Sequence, residues 1–415
     1  MIAVDEDALR LRPEERRVLL VLAAVMFLVF FDFELLMPMG PFVGPDLGIE
    51  TAGLGRLVSI YTLGSMLGSL LFARFADRWP RRQVLLWSMR GLALGTLLCG
   101  LATSAGLLMA ARVLAGLMAG PAGAVVMALV ADVVPESRRG QGMGMVMSGY
   151  TVASVLGLPL AVLAAGHVGW RPPFIVLAAL AALVLWQASR RLPDPPVADA
   201  SPSLPPWVPP STPAMRLAWL GVALFMCADF CFVPFLPGFF TANLGLDKAD
   251  LGWCYLAGGI TTFFTFRYSG RLSDRYGSFP IVLIFSVLAT LAIVGTFAVM
   301  RGPLSRWQGM LLMASIFLFN APRVLAAFAL FSKAPAPEHQ GAFQSFQTVV
   351  QHGTIGVITW AMAALLAGGV AGQLTHVNRM LEVYVTAMLI SVVVIWRLEA
   401  LVRGERNKEA DPAPS

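Results

Sequence analysis

LVFFDFELLMP (residues 28–38) and LFMCADFCFVP (residues 224–234) each carry an aspartate into the middle of an apolar run, Asp32 in the first and Asp229 in the second. The offset between the two acids is 197 residues. The same offset lays Leu47-Gly48-Ile49 on Leu244-Gly245-Leu246, Leu54-Gly55 on Leu251-Gly252, and Asp77-Arg78 on Asp274-Arg275. One offset held over so long a stretch means two parallel copies of one unit. In a chain this apolar, that is the internal symmetry on which many secondary transporters are built.

The chain is 57% hydrophobic and 13% charged, against roughly 25% charged residues in soluble domains. That composition reads as an integral membrane protein with the lipid bilayer as its solvent. Apolar runs of about 20 residues suffice to cross roughly 30 Å of hydrocarbon as helices. Twelve such runs are expected, at 18–40, 51–73, 82–103, 105–131, 140–166, 171–190, 216–240, 250–272, 279–300, 307–331, 341–367 and 379–402. Basic residues fall at the N-terminus and in alternate loops: Arg16 and Arg17, then Arg78, Arg81 and Arg82, then Arg138 and Arg139, then Arg275, then Lys333. By the positive-inside rule both termini are cytoplasmic, in a multi-pass protein of the inner (plasma) membrane. The net charge of +6 is thereby explained by topology, and no nucleic-acid partner is expected. The charged N-terminus and full-length first run predict no cleaved leader.

The expected organisation is a six-helix bundle over 1–190, a cytoplasmic linker over 191–215, a second bundle over 216–403, and a disordered tail over 404–415. The linker is dense in proline, which cannot continue a helix. The four cysteines lie in predicted helices or at their ends without Cys-x-x-Cys spacing and read as apolar fillers. Cys227 and Cys231, four apart, would suit a soft metal only with partners that are absent from the sequence nearby, so no metal is expected. There is no Gly-x-x-x-x-Gly-Lys-Ser/Thr loop for a nucleotide, no cofactor site and no catalytic triad. The chain is not expected to be an enzyme.

GSLLFARFADRWPRRQVLL (residues 68–86) resembles the loop between the second and third helices of the major facilitator superfamily, with Asp77, Arg78, Arg81 and Arg82 at the matching positions. Ala73 and Pro80 stand where the family pattern has glycine. GRLSDRYG (residues 270–277) is the second copy, carrying Asp274 and Arg275 but lacking the trailing basic pair. Electrostatically, such an aspartate can meet the positive N-terminus of a neighbouring helix and nearby arginines. In the family these residues latch one conformational state. AARVLAGLMAGPAGA (110–124) is similar to the fourth-helix motif, with Arg112 matching. SGYTVASVLGLPLAVL (148–163) is similar to the fifth-helix antiporter motif through Gly149, Gly157 and Pro159. The resemblance covers nearly the whole chain. It implies an all-α major facilitator fold of two pseudo-symmetric six-helix bundles, working mostly as a monomer, in the proton-linked drug and sugar efflux branch.

Ionised groups at bilayer depth cost at least roughly 2.5–3.5 kcal/mol each and demand a partner or a function. Here they are Asp32, Glu34, Arg112, Asp229, Arg267 and Arg323. At about 1.5 Å per residue, Asp32 and Arg112 both lie roughly 10–12 Å below the outer ends of their helices. An Asp32–Arg112 pair that opens when the acid is protonated is the preferred proton switch, with a static salt bridge as the alternative. Asp229 is the equivalent acid of the second half, a second proton site or a group for a cationic substrate. Arg323, after Asn320 and Pro322, pairs with it or meets an anionic substrate. Glu34, two residues from Asp32, points to a different side of its helix and is assigned to the substrate cavity.

Gln344, Gln347 and Gln351 form one helical stripe beside His352, expected to face water or substrate. Tyr150 joins them as a candidate cavity residue. Gly64, Gly68, Gly116, Gly120, Gly149 and Gly157 permit close helix approach. The expected function is proton-coupled export of a small amphipathic or cationic compound by rocker-switch alternating access. The competing readings are a proton-coupled importer of an organic acid or sugar, and a non-transporting membrane sensor or assembly factor.

Overall fold

The structure is a computed structural model that describes residues 11–75, 79–135, 138–193, 211–299, 302–336, 339–369 and 372–410. Within them it is all-helical, without strands. Twelve helical rods follow in order: α1 Pro13–Leu47, α2 Leu54–Phe75, α3 Arg81–Gly100, α4 Ala105–Val133, α5 Arg139–Val168, α6 Arg171–Arg191, α7 Pro213–Asn243, α8 Leu251–Tyr276, α9 Ser278–Val294, α10 Arg306–Phe331, α11 Gln340–Leu365 and α12 Val377–Ala410. All the rods but α8 combine the length and apolarity needed to cross a bilayer. The rods match the twelve hydrophobic runs because, without water, each backbone polar group must find its partner within its own segment.

Local sequence sets the ends. Ser104, Thr212 and Ser305 accept main-chain hydrogen bonds from Leu107, Met215 and Gln308 and so cap α4, α7 and α10. Gly48 closes α1 in the left-handed region at φ 65°, and Gly245, its partner in the repeat, has the same φ of 65°. Gly277 opens α9 at φ 88°, whereas Pro80, its counterpart, enters α3 at φ −57° and ψ 127°. The missing glycine in the first copy is thus replaced by an extended proline, which cannot donate a main-chain bond and needs no positive φ.

Two rods are interrupted. In α5 a π-turn over Ala153–Gly157 precedes Pro159, as expected where proline removes a main-chain donor. In α7 the α-helix stops at Phe230, just after Asp229, and resumes through the 3₁₀ turn Val233–Phe235 beside Pro234. The expectation of a disordered tail after Arg403 is corrected: α12 continues to Ala410, through a run rich in the helix formers Glu, Lys, Arg and Ala. Residues 194–210 of the linker and 411–415 of the tail lie outside the described residues.

The chain divides into two compact units, one of Met1–Gly48 with Ile60–Ser203 and one of Ile49–Ser59 with Leu204–Ser415. In the first, α3 packs on α4 and α6, and α1 packs on α4, α5 and α6. In the second, α9 packs on α10 and α12, and α7 packs on α10, α11 and α12. The internal packing therefore repeats as the 197-residue offset repeats. The first turns of α2, to Ser59, belong with the second unit, where Ser59 Oγ donates to the Gly356 carbonyl at 2.5 Å.

Candidate functional site

The first unit buries an ion pair. Asp32 on α1 and Arg112 on α4 are 1% and 0% exposed, and Arg112 Nη1 donates to the Asp32 carbonyl oxygen at 3.0 Å and to Oδ2 at 3.3 Å. Thr96 on α3 donates to Asp32 Oδ1 at 2.6 Å. The guanidinium lies 4.0 Å from the centre of the Tyr61 ring, which itself stacks on Phe33. Opposite charge and a hydroxyl donor satisfy a carboxylate that burial alone would make costly, and the Tyr61 face meets the guanidinium.

The second unit repeats the device on matching helices. Asp229 on α7 accepts from Arg323 Nη2 on α10, and both are buried. Arg323 Nε donates to Asn320 Oδ1 at 2.7 Å, one turn earlier on the same helix, and Nη1 lies 3.6 Å from the Met388 sulfur. Phe225 sits 5.0 Å from the guanidinium, in the role Tyr61 plays in the first unit. In this conformation Arg323 is engaged with Asp229.

Glu34 is placed differently. It is half-buried, and its carboxylate accepts from Ser154 Oγ at 2.9 Å within the π-turn of α5. Tyr150, one turn before Ser154, packs edge-on against Phe30 at 4.7 Å between ring centres. The structure thus brings Glu34 and Tyr150 to one α1–α5 surface and sends Asp32 to the α3–α4 side.

The polar stripe on α11 is not uniform: Gln344 is exposed, Gln351 and His352 are half-buried, and Gln347 is buried. Gln347 Oε1 and His352 Nδ1 find no hydrogen-bond partner among the described residues. The stripe is expected to face water or substrate, and its three glutamines differ in burial, with Gln347 the most enclosed. The periodicity gives a face of the helix, and neighbouring side chains decide how far that face is covered.

Of the latch residues, Asp77 and Arg78 and the side chain of Asp274 lie outside the described residues, as does the side chain of Arg267. Arg81 pairs with Asp132 at 2.5 Å and Arg82 Nη2 donates to the Ser189 carbonyl at 2.6 Å, tying α3 to α4 and α6. Arg275 is exposed with its guanidinium 5.3 Å from the Tyr276 ring centre. The interface glycines are tightly placed. A Cβ on Gly64, Gly68, Gly116 or Gly120 would press on the main chain of the facing helix in the α2–α4 contact, and one on Gly149 on that of α1. A Cβ on Gly157 would lie 3.4 Å from the Phe27 and Phe31 rings, and Pro159 is buried.

Three partners escaped sequence reasoning: Thr96, Ser154 and Asn320. Each is a small polar residue in an apolar helix, a signal that marks a position without naming its partner. The buried Glu15–Arg138 pair at 2.8 Å, joining α1 to α5, was missed for the same reason. Among the described residues no group of three or more His, Cys, Asp or Glu is placed to hold a metal.

A model of the Major Facilitator Superfamily matches residues 22–358. The uncharacterized MFS-type transporter YceJ of Bacillus subtilis is 28% identical over 267 residues, 63% of this chain and 67% of that protein. A chloramphenicol resistance protein of Streptomyces lividans is 30% identical over 239 residues, 57% of this chain and 61% of that protein's length. The crystal structure of a D-xylose-proton symporter superimposes with a TM-score of 0.72 at 14% identity, covering 92% of this chain and 97% of that one, a likeness of fold.

Proposed function

The chain belongs to the Major Facilitator Superfamily, and from that premise we propose that it is a proton-coupled exporter of a small amphipathic or cationic compound. Its two six-helix halves, over 1–190 and 216–403, alternate between inward-open and outward-open states in the inner membrane, with both termini cytoplasmic and no enzymatic step. The observation that carries the reading is the buried acid–arginine pair on the first and fourth helices of each half, Asp32 with Arg112 and Asp229 with Arg323.

Each pair supplies a two-state element. While the arginine is in place the carboxylate stays ionised. When helix movement withdraws the arginine, the lone buried carboxylate takes a proton to avoid carrying charge in a dry site. Alternation of the two states carries protons across through whichever pair opens. The latch residues, Asp77, Arg78, Arg81 and Arg82 in one half and Asp274 and Arg275 in the other, hold the cytoplasmic ends in one of those states. Export is favoured by the Streptomyces relative, a chloramphenicol resistance protein.

The test is dye-reported proton movement in proteoliposomes during addition of cationic, neutral and anionic compounds. Compound-triggered proton efflux in wild type that disappears in Asp32→Asn is the expected result. Absence of proton movement with every class of compound would remove proton-coupled export.

A further inference from the structure

A further charge lies at bilayer depth, on the outside of the first unit. Trp87, Arg90, Leu94 and Leu97 of α3 recur at spacings of three and four, and all four are exposed. That spacing makes one helical face, and its leucines mark hydrocarbon as the medium it meets. The packed side of α3 is a different one, where a Cβ on Gly91 would press on Met118 and one on Gly95 on Ala115, both on α4. At about 1.5 Å per residue, Arg90 stands roughly 13–14 Å from the start of the helix at Arg81, nearly half-way along it.

An arginine facing hydrocarbon at that depth demands an anion. The chain supplies none: Arg90 makes no hydrogen bond or ion pair with a described residue. The acids of this unit are held elsewhere, Asp32 by Arg112, Asp132 by Arg81, Glu15 by Arg138 and Asp46 by Arg171. The counter-ion therefore comes from outside the chain, and the anion that borders hydrocarbon is a phospholipid phosphate.

The neighbourhood is built to meet one. Side chains on a helix lean toward its N-terminus, so Arg90 reaches past Trp87 toward the basic end of α3. The Arg82 Nη2 bond to the Ser189 carbonyl at 2.6 Å sets the last turn of α6 level with that end. The same turn of α6 carries Arg190 and Arg191, both exposed. The Arg190 guanidinium lies 4.4 Å from the centre of the Trp186 ring, and Trp79 meets Trp87 edge-on at 5.0 Å. All three indoles are exposed, and exposed tryptophans belong at the boundary between headgroups and acyl chains.

We infer that this α3–α6 face is a binding site for one anionic phospholipid, with its phosphate drawn to Arg90. Trp87 and Trp186 cover the glycerol backbone and the upper acyl chains. Arg190 and Arg191 select a net negative lipid over a zwitterionic one, whose ammonium group they repel. By the topology proposed above this is the cytoplasmic leaflet, but the site itself does not rest on the transport reading. A lipid bound there spans two helices of the unit that holds Asp32 and Arg112 and stabilises that unit by mass action.

The experiment places the full-length protein in nanodiscs of phosphatidylcholine, alone or mixed with phosphatidylglycerol or phosphatidylethanolamine. Native mass spectrometry counts the lipids retained, and thermal unfolding is followed in the same discs. Wild type should keep one phosphatidylglycerol, preferred at least about tenfold over either zwitterionic lipid, and should unfold at higher temperature when it is present. Arg90→Leu should lose about fivefold or more of that preference and all of the thermal shift, while Arg90→Lys keeps most of both. Arg397→Gln, which removes an exposed base from α12, should behave as wild type. Equal losses in Arg90→Leu and Arg397→Gln would mean diffuse charge attraction and overturn the site. Retention of phosphatidylethanolamine as strong as that of phosphatidylglycerol, or the same thermal shift from soluble glycerol phosphate, overturns it too. So does a lipid-free dimer that Arg90→Leu dissociates, since a second copy would then cover the face. Should Arg90→Leu not fold, the Arg190→Gln, Arg191→Gln double variant decides, and an undiminished preference in it overturns the assignment.

Discussion

Asp32 and Arg112 contribute most as a pair. Removing one member of a buried ion pair leaves an uncompensated charge and costs about 3–5 kcal/mol, whereas replacing both can be near neutral. Arg112→Met should therefore destabilise the protein markedly, and Asp32→Asn combined with Arg112→Met should recover much of that loss in thermal unfolding in detergent. The Thr96 hydroxyl lies 2.6 Å from Asp32 Oδ1 and 2.8 Å from the Leu92 carbonyl, and its one proton serves either. Thr96→Val removes that donor while keeping the shape, so a loss of about 1 kcal/mol is expected. The same substitution should shift the pH profile of transport upward, because a carboxylate that loses a hydrogen bond to its charged form holds its proton to higher pH. A profile unchanged by Thr96→Val would separate Asp32 from the coupling step.

Among the elements, the α2–α4 contact is set by glycines that serve unequal purposes. A Cβ on Gly120 would collide with the Ser65 carbonyl and lie 2.5 Å from Ser69 Oγ, whereas one on Gly123, three residues on, meets nothing within 4 Å. Gly120→Ala should destabilise by about 1–3 kcal/mol as the two helices are forced apart. Gly123→Ala should be neutral or stabilise by up to about 1 kcal/mol, because it relieves the entropy cost of glycine inside a helix. Thermal unfolding of the two variants side by side checks this, and equal effects would contradict the close-approach account. The π-turn in α5 is the other element-scale feature. Ser154, whose hydroxyl donates to Glu34, lies within that turn.

For the whole molecule, the repeat orders the chain. The basic residues at alternate loops predict that a reporter fused at Ser415 or after Lys333 stays cytoplasmic, whereas one after Gly302 is exported. Alkaline phosphatase and green fluorescent protein fusions give opposite readouts at those positions, and activity of the phosphatase at Ser415 would invert the topology. The repeat also predicts that Asp229→Asn lowers stability by an amount similar to Asp32→Asn, since both acids meet an arginine on the fourth helix of their unit.

Twelve runs of apolar residues, two copies of a loop motif and two acids at one offset were enough to read the fold from the chain alone. The bilayer leaves a segment of that length and polarity no other structure. The acids and arginines were legible too, because charge inside an apolar run stands out against its background. Sequence did not decide which charges meet. Asp32 and Glu34 look alike in a linear reading, two carboxylates in one helix. One faces α3 and α4 and finds Arg112 and Thr96, while the other faces the bulge of α5 and finds a serine and aromatic rings. That difference arises from about 200° of rotation between residues two apart on a helix, and from which neighbour lies on each side. Only packing in three dimensions supplies the second term.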